Sequence, residues 1–124
     1  MPRIVYAEAG GIEAASNHRC CAERNVLDEW RRLAIKRGVP SHAIISWVRR
    51  KTGGTIVVRR YLFDNSLGCS IPCVFCRREI EKYDMVVTCT CQTGDRVEER
   101  IRDPGFPPSV LTCGQRRMLY RRVC

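Results

Sequence analysis

Four side chains suited to metal chemistry are divided between two short segments, and a metal site requires a fold that brings these segments together. Cys21 and Glu23 stand near the N-terminus, whereas Cys73 and Cys76 stand in the middle of the chain. Both segments lie at the predicted start of a helix, and the three-residue spacing of Cys73 and Cys76 puts their thiols on one helix face. Three thiolates can hold a zinc ion and leave the fourth tetrahedral position for water.

Glu23 favours a catalytic metal over a structural one. It follows Cys21 by two residues, so helical geometry directs it away from the metal but leaves it within reach of water bound there. A carboxylate in that place can take a proton from the water and deliver it to a substrate. The sequence leaves open a structural zinc with a fourth protein ligand. The candidates for that ligand are His18, Cys20, Cys89 and Cys91.

The cysteine content indicates the compartment. The 124-residue chain has nine cysteines, an odd number, and no apolar run long enough for a signal peptide or a membrane span. These features favour metal ligation and buried thiols over a disulfide framework. We therefore expect a cytoplasmic or nuclear protein that no classical signal peptide exports. We place one domain at residues 1–103, followed by a Pro-rich linker and basic tail at 104–124.

Hydrophobic periodicity predicts alternating strands and helices. Strands are expected at residues 3–8, 43–48, 55–61, 85–91 and 96–102, and helices at residues 20–37 and 72–83. Ser70 is the expected cap of the second helix. The strands at 43–48 and 55–61 read as a β-hairpin, and residues 11–17 read as a loop. The turn at residues 92–95 indicates that the last two strands are antiparallel.

The two cysteine segments resemble a known zinc signature. Cys-Ala-Glu at residues 21–23, followed by Pro-Cys-x-x-Cys at residues 72–76, is similar to the three-cysteine form of the cytidine deaminase superfamily signature. The resemblance implies that Cys21, Cys73 and Cys76 are zinc ligands and that Glu23 is the proton shuttle of a hydrolytic deamination. It also implies an α/β fold of three layers, α/β/α, in which a mixed sheet carries the two zinc-bearing helices on one side.

The same resemblance implies several substrate-binding residues. Residues 11–16 are similar to the ribose-binding strand of free-nucleoside cytidine deaminases, although glycine and alanine replace both asparagines, and Glu13 would match the ribose-binding glutamate. The backbone amide of Ala22 would help hold the pyrimidine carbonyl. Ser70 begins a Ser-x-Pro-Cys stretch that resembles divergent members of the superfamily. Phe75, between two of the ligands, is placed to contact a base or to pack in the core.

The formal charge of +9 comes largely from arginine doublets and favours polyanionic partners. Five basic residues of the predicted hairpin form the candidate patch for tracking single-stranded nucleic acid. They are Arg49, Arg50, Lys51, Arg59 and Arg60. The Cys-Ala-Glu-Arg segment and Glu13 favour a cytidine-like or deoxycytidine-like nucleoside as the substrate, and this is the substrate that we expect. The basic residues favour the alternative, single-stranded DNA or RNA. A non-catalytic basic zinc module that binds nucleic acid is the third alternative. No membrane partner is expected, and a homo-oligomer is left open.

Overall fold

A five-stranded mixed sheet is the frame of the molecule, in a computed structural model that describes residues 5–17, 21–62 and 64–109. The strands are Val5–Ala9 (β1), Ile12–Ala15 (β2), Thr55–Arg60 (β3), Val86–Thr90 (β4) and Arg96–Arg100 (β5). They lie side by side in the order β2-β1-β3-β4-β5. Only the central pair β3 and β4 is parallel among these strands. The predicted α/β class, the mixed sheet and the antiparallel last pair are confirmed.

The β1–β2 hairpin corrects the loop that was predicted for residues 11–17. Gly10 and Gly11 both have positive φ angles, 57° and 85°. A two-residue type I′ turn requires positive φ at both positions, and it turns the chain back onto the preceding strand. Ile12 then pairs with Ala9, which makes β2 the edge strand next to β1. The strand that the family resemblance implied in this stretch is therefore present.

Three helices contact one another and pack against one face of the sheet: Ala22–Lys36 (α1), Ile44–Thr52 (α2) and Val74–Tyr83 (α3). Alternation along the strands turns Ala7, Val58 and Val87 toward these helices, where they join one buried cluster. The prediction that both cysteine-bearing helices lie on one side is therefore met. Among the residues described, helices cover only this face of the sheet. The second helical layer of the predicted α/β/α arrangement is not found in these residues.

The strand predicted at residues 43–48 is wrong, because this stretch is a 3₁₀ turn at Ser41–Ala43 that runs into α2. Val48 is fully buried, and Trp47 packs edge-on against Trp30 of α1 with 5.9 Å between ring centroids. Short apolar runs fit a buried strand and a buried helix equally well, and packing against α1 decides for the helix. The predicted β-hairpin is consequently wrong, since α2 and not a strand precedes β3.

The chain after β5 remains in contact with the core as far as it is described. Ile101 and Phe106 are buried in the main cluster, and Arg77 of α3 donates a hydrogen bond to the Pro107 carbonyl. The predicted domain boundary after residue 103 stays a prediction, and residues 110–124 of the predicted tail lie outside the described residues. None of the helices described has both the length and the apolar character needed to cross a bilayer.

Candidate metal centre and its cleft

Three sulfur atoms from the two cysteine segments form one tight cluster. Cys21 Sγ lies 3.8 Å from Cys73 Sγ, and Cys73 Sγ lies 3.4 Å from Cys76 Sγ. All three atoms are within 4.8 Å of one another. With Zn–S bonds of about 2.3 Å, tetrahedral coordination would separate two sulfurs by about 3.8 Å. The cluster is therefore of the right size to hold a metal ion through thiolate ligands.

The first turns of two neighbouring helices position these sulfurs. Cys21 is the N-cap of α1 and Cys73 is the N-cap of α3, each with extended backbone angles, and Cys76 lies one turn into α3. Pro72 precedes the cap, so α3 begins at Val74, two residues after the predicted start, and its N-cap is Cys73 and not the predicted Ser70. The positive ends of the two helix dipoles meet at the cluster and favour negative charge there.

Two of the three thiols, Cys21 and Cys76, have pKa values raised above that of an ordinary cysteine, which favours their protonated forms. The pKa of Cys21 is raised, first by its hydrogen bond with Cys73 and further by burial. The pKa of Cys76 is raised strongly, first by its hydrogen bonds with Cys21 and Cys73. Three adjacent thiolates would repel one another, whereas a bound cation deprotonates coordinating thiols outright. Metal binding at this cluster would therefore release protons.

The Glu23 side chain is buried and lines the same cleft as Cys21 and Cys73. Glu23 lies in the first turn of α1 and is only 4% exposed. Burial raises the pKa of Glu23 to about 7, with the nearby Cys73 thiol adding to the effect. A buried carboxyl group with a pKa near neutrality can both accept and release a proton at neutral pH. This property suits a proton carrier better than a residue that only supports the fold.

The fourth ligand of the structural alternative is not found among the residues described. In the ranges 5–17, 21–62 and 64–109, the cluster that can hold a metal consists of the three cysteines alone. Cys89 is buried in β4 and Cys91 directly follows β4, and neither residue belongs to the cluster. His18 and Cys20, the other two candidates, lie outside the described residues.

Comparisons with protein-family models, with curated proteins and with solved structures found no match. The geometry of the site and the motif on which the resemblance was based are thus the basis for a functional proposal.

A cleft of about 300 Å³ opens over the cluster. Cys21, Glu23 and Cys73 line it, and Cys76 lies buried behind them. The cleft lies where the parallel strands β3 and β4 end, since Arg60 closes β3 and the Ser70 amide donates to the Thr90 carbonyl. The carboxyl ends of parallel strands are the usual place for ligand sites in α/β sheets.

A second cleft, of about 520 Å³, lies between the three helices and is larger. Its lining includes Asp28, Arg31, Ile44 and Lys82. It contains none of the three cysteines and not Glu23. The smaller cleft is the candidate site because chemistry depends on the groups that line a cavity and not on its volume.

Two of the predicted substrate-binding residues lie in the candidate cleft. Ala22 is fully buried at the start of α1 and lines the cleft. Ser70 also lines it, but its hydroxyl is already engaged: Oγ donates to the Val58 carbonyl at 3.0 Å and accepts from the Thr90 amide at 2.9 Å. Ser70 thus connects the α3 approach to both central strands, and a substrate would have to compete with these bonds.

Glu13 and Phe75, the other two predicted substrate-binding residues, do not line this cleft. Glu13 is exposed on the edge strand β2, where it pairs with Glu8. Phe75 is half-buried, with the Arg78 guanidinium 5.7 Å from its ring centroid. The role in ribose binding that the resemblance implied for Glu13 therefore receives no support from its position.

The five predicted nucleic-acid-binding residues are not arranged along one hairpin. Arg49, Arg50 and Lys51 are exposed in the last turn of α2, and Lys51 lies over the Trp47 ring. Arg59 is exposed on the sheet face away from the helices, because alternation along β3 turns it opposite to Val58. Arg60 lies on the helix side and lines the candidate cleft.

Sequence reasoning missed several residues that line the cleft. Cys69, Ile71, Val5 and Ser16 are brought there by the strand edges and by the loop that leads into α3. Ser16 accepts a hydrogen bond from the Val5 amide and so joins the ends of the β1–β2 hairpin. Ile71 is signalled only by being adjacent to the Pro-Cys motif. Cys69 is adjacent to the predicted site residue Ser70, and Ser16 ends the stretch of residues 11–16 that resembles the ribose-binding strand. Nothing in the local pattern around Val5 indicates the site.

Proposed function

We propose that the protein is a zinc-dependent hydrolase that deaminates a cytosine-type base. The observation that carries the proposal is a buried carboxylate, Glu23, that shares one cleft with a three-thiol cluster. A structural metal site does not require a carboxylate beside it. Burial of an ionisable group costs free energy, so a buried Glu23 without a chemical role would only destabilise the protein. The similarity of the Cys-Ala-Glu and Pro-Cys-x-x-Cys segments to the cytidine deaminase superfamily signature supports the same function.

Zinc is the metal that fits this donor set best. Cys21, Cys73 and Cys76 would hold it, and three sulfur ligands at tetrahedral spacing leave one position open. Soft thiolate ligands select against magnesium, calcium and manganese, which prefer oxygen. When bound, zinc would supply Lewis-acid activation of water for attack on the amine-bearing ring carbon.

Glu23 and Ala22 provide the remaining chemistry in the proposal. Glu23 carries a proton to the ring nitrogen and then to the departing amine, which leaves as ammonia. Ala22 begins α1, and the first amides of a helix have no partner within the helix. The Ala22 amide is therefore suited to donate to the pyrimidine carbonyl and to orient the ring over the cluster.

The experiment that tests this function combines metal analysis with an activity assay. The full chain is purified, its zinc content is measured, and the release of ammonia or the conversion of the cytosine base to uracil is followed with cytidine, deoxycytidine and single-stranded oligonucleotides. Glu23→Gln removes the proton carrier and keeps the volume of the side chain. Glu29→Gln, on the exposed face of the same helix, is the matched control.

We expect one zinc per chain, turnover of at least one of the substrates, and a loss of activity in Glu23→Gln alone. General acid–base groups contribute about 10²–10⁴-fold to rates, so the Glu23→Gln rate should fall by at least 100-fold. Zinc retained without turnover on any substrate would reject the enzyme. Oligonucleotide binding that weakens steeply with salt would then favour the basic zinc module that binds nucleic acid without turnover.

A further inference from the structure

One cationic side chain, Arg60, lines the candidate cleft within the described part of the chain. Glu23 and Arg60 are the only charged residues that line it among the residues described, and they play different parts. Glu23 is buried beside the sulfur cluster, whereas Arg60 is partly exposed at the end of β3. The cleft therefore has a carboxyl group at its metal end and a guanidinium group in its wall.

The Arg60 guanidinium has most of its hydrogen-bonding capacity available. One nitrogen, Nη1, donates to the Cys69 carbonyl oxygen at 3.5 Å, which is long for a hydrogen bond. Within the part of the chain that the structure describes, no carboxylate forms an ion pair with it. A guanidinium has five N–H donors, so a ligand in the cleft can take several of them.

The position of Arg60 is set by the sheet and not by a flexible surface loop. Arg60 pairs with Val5 in the β1–β3 register, and Val5 also lines the cleft. The preceding Arg59 is turned to the opposite face of the sheet by strand alternation. The two arginines of this doublet thus have the same chemistry but lie on different sides, and only Arg60 lines the site.

We propose that Arg60 binds a phosphate group of the substrate, so that this cleft takes a phosphorylated nucleoside and not a free one. The inference rests on the proposed function, since it assigns the substrate of the same site. A planar guanidinium binds phosphate oxygens in pairs, and the attraction is stronger in a partly buried cleft than in open solvent. The phosphate has two sources, a free nucleoside 5′-monophosphate or one nucleotide of a single strand.

The size and charge of the cleft agree with this substrate. About 300 Å³ is at the lower end of the range for small-ligand pockets, about 300–1,000 Å³, so the cleft is of a size for a single nucleotide unit. The base would lie at the metal end beside Glu23, and the phosphate at the Arg60 wall. A neutral nucleoside would bring no charged group to the guanidinium.

Binding measured by calorimetry on the zinc-loaded full chain tests the inference. Glu23→Gln is present in every chain, the one with wild-type Arg60 and Arg59 included, so that no probe is deaminated during the measurement. The probes are cytidine, cytidine 5′-monophosphate, inorganic phosphate and a short single-stranded oligodeoxycytidylate. The variants are Arg60→Gln, Arg60→Lys and the matched control Arg59→Gln, and each is first checked for unchanged zinc content and melting temperature. Arg60→Lys keeps the charge without the paired donors, so it tests the phosphate contact even if Arg60→Gln folds poorly.

We expect the wild type to bind cytidine 5′-monophosphate at least about tenfold more tightly than cytidine, because one hydrogen bond to a charged group contributes about that much to affinity. Arg60→Gln should remove this preference, Arg60→Lys should retain part of it, and Arg59→Gln should retain all of it. The affinities of Arg60→Gln for the mononucleotide and for the oligonucleotide are then compared with those of the wild type. The ligand whose affinity falls more identifies the source of the phosphate.

Equal binding of cytidine and its monophosphate by the wild type, or no binding of either, would overturn the inference. Equal losses in Arg60→Gln and Arg59→Gln would also overturn it, because they would indicate a general charge effect. The readout is binding and not turnover. A phosphate preference without deamination would therefore reject the proposed reaction alone, and deamination without a phosphate preference would reject the role of Arg60 alone.

Discussion

Cys21 Sγ and Cys73 Sγ lie 3.8 Å apart although 52 residues separate them in the chain. Contact between α1 and α3 on one face of the sheet brings them together, since each cysteine caps one of these helices. The candidate metal centre thus depends on the packing of two helices. Substitutions of the cluster cysteines should therefore lower the affinity for metal. Substitutions of the residues that support the helices and strands around the cluster should lower the free energy of unfolding.

Cys73→Ser should weaken zinc binding by more than about 100-fold, which is the upper range for losing an outer-shell partner of a metal ligand. A hydroxyl is a poor substitute for a thiolate that contacts both other sulfurs of the cluster. Competition with a chromophoric chelator measures the affinity. Cys91→Ser is the control, because Cys91 lies outside the cluster. Equal affinities of the two variants would contradict the site.

Ser70→Ala should lower the free energy of unfolding by about 1–3 kcal/mol, because it leaves the buried Val58 carbonyl and Thr90 amide without their partner. Denaturant titration measures the change. Ser46→Ala, at an exposed position of α2, should change stability by less than about 0.5 kcal/mol. If Ser70 served substrate binding alone, Ser70→Ala would leave stability at the wild-type value and weaken ligand binding instead.

Gly10→Ala should destabilise the fold more than Gly11→Ala, although both residues have positive φ in the same turn. A Cβ at Gly10 would lie 2.7 Å from Trp30 Cζ2 and 3.0 Å from the Lys51 carbonyl oxygen, whereas a Cβ at Gly11 would meet nothing within 4 Å. The left-handed conformation costs about 1–2 kcal/mol in either variant.

The clash at Gly10 should add about 1–3 kcal/mol, as overpacking of a core does. Trp30 cannot move away freely, since its indole nitrogen donates to the Ala9 carbonyl at 2.9 Å. Thermal unfolding of the two variants gives the difference directly. Equal melting temperatures would show that the indole shifts without loss and would disprove the clash.

Cys91 should be alkylated faster than Cys89 near neutral pH. A hydrogen bond with Thr93 Oγ1, 2.9 Å away, lowers the pKa of Cys91, so a larger fraction is thiolate at a given pH. Burial raises the pKa of Cys89 to about 12, and the residue is 2% exposed. Mass spectrometry of the labelled peptides after brief iodoacetamide treatment measures both rates.

Thr93→Val should raise the pKa of Cys91 and slow its alkylation at pH 7–8, whereas Thr93→Ser keeps the hydroxyl and the rate. The difference should vanish above the ordinary thiol pKa of 9.0, where the thiol is ionised in all variants. A Thr93→Val rate equal to the wild type across this pH range would show that the hydroxyl has no influence on the thiol.

Local patterns predicted those elements whose signal was long enough to be unambiguous. The amphipathic repeat of α1 extends over Ala22–Lys36, and no strand has that period. The run at residues 43–48 is short and apolar on both sides, and only Trp47 against Trp30 decides that it is helical. β2 has four residues and exists because the Gly10–Gly11 turn returns the chain to β1.

The candidate site was predictable to the same extent. Cys21, Glu23, Cys73 and Cys76 were identified because each lies in a short motif at a helix start. Arg60 and Cys69 were not singled out as cleft residues, because they reach it through the register of β3 and the loop toward α3. Glu13 carried a motif-based prediction, yet strand alternation on an exposed edge turns it to solvent.

The sequence by itself determined which residues can act on a metal and where the helices that carry them begin, because caps, spacing and helical period are local properties. The tertiary structure decided that the three sulfurs meet within 4.8 Å and that Glu23 is buried beside them. It also decided that Arg60 and not Arg59 lines the cleft. These outcomes depend on contacts between residues far apart in the chain, which local periodicity does not encode.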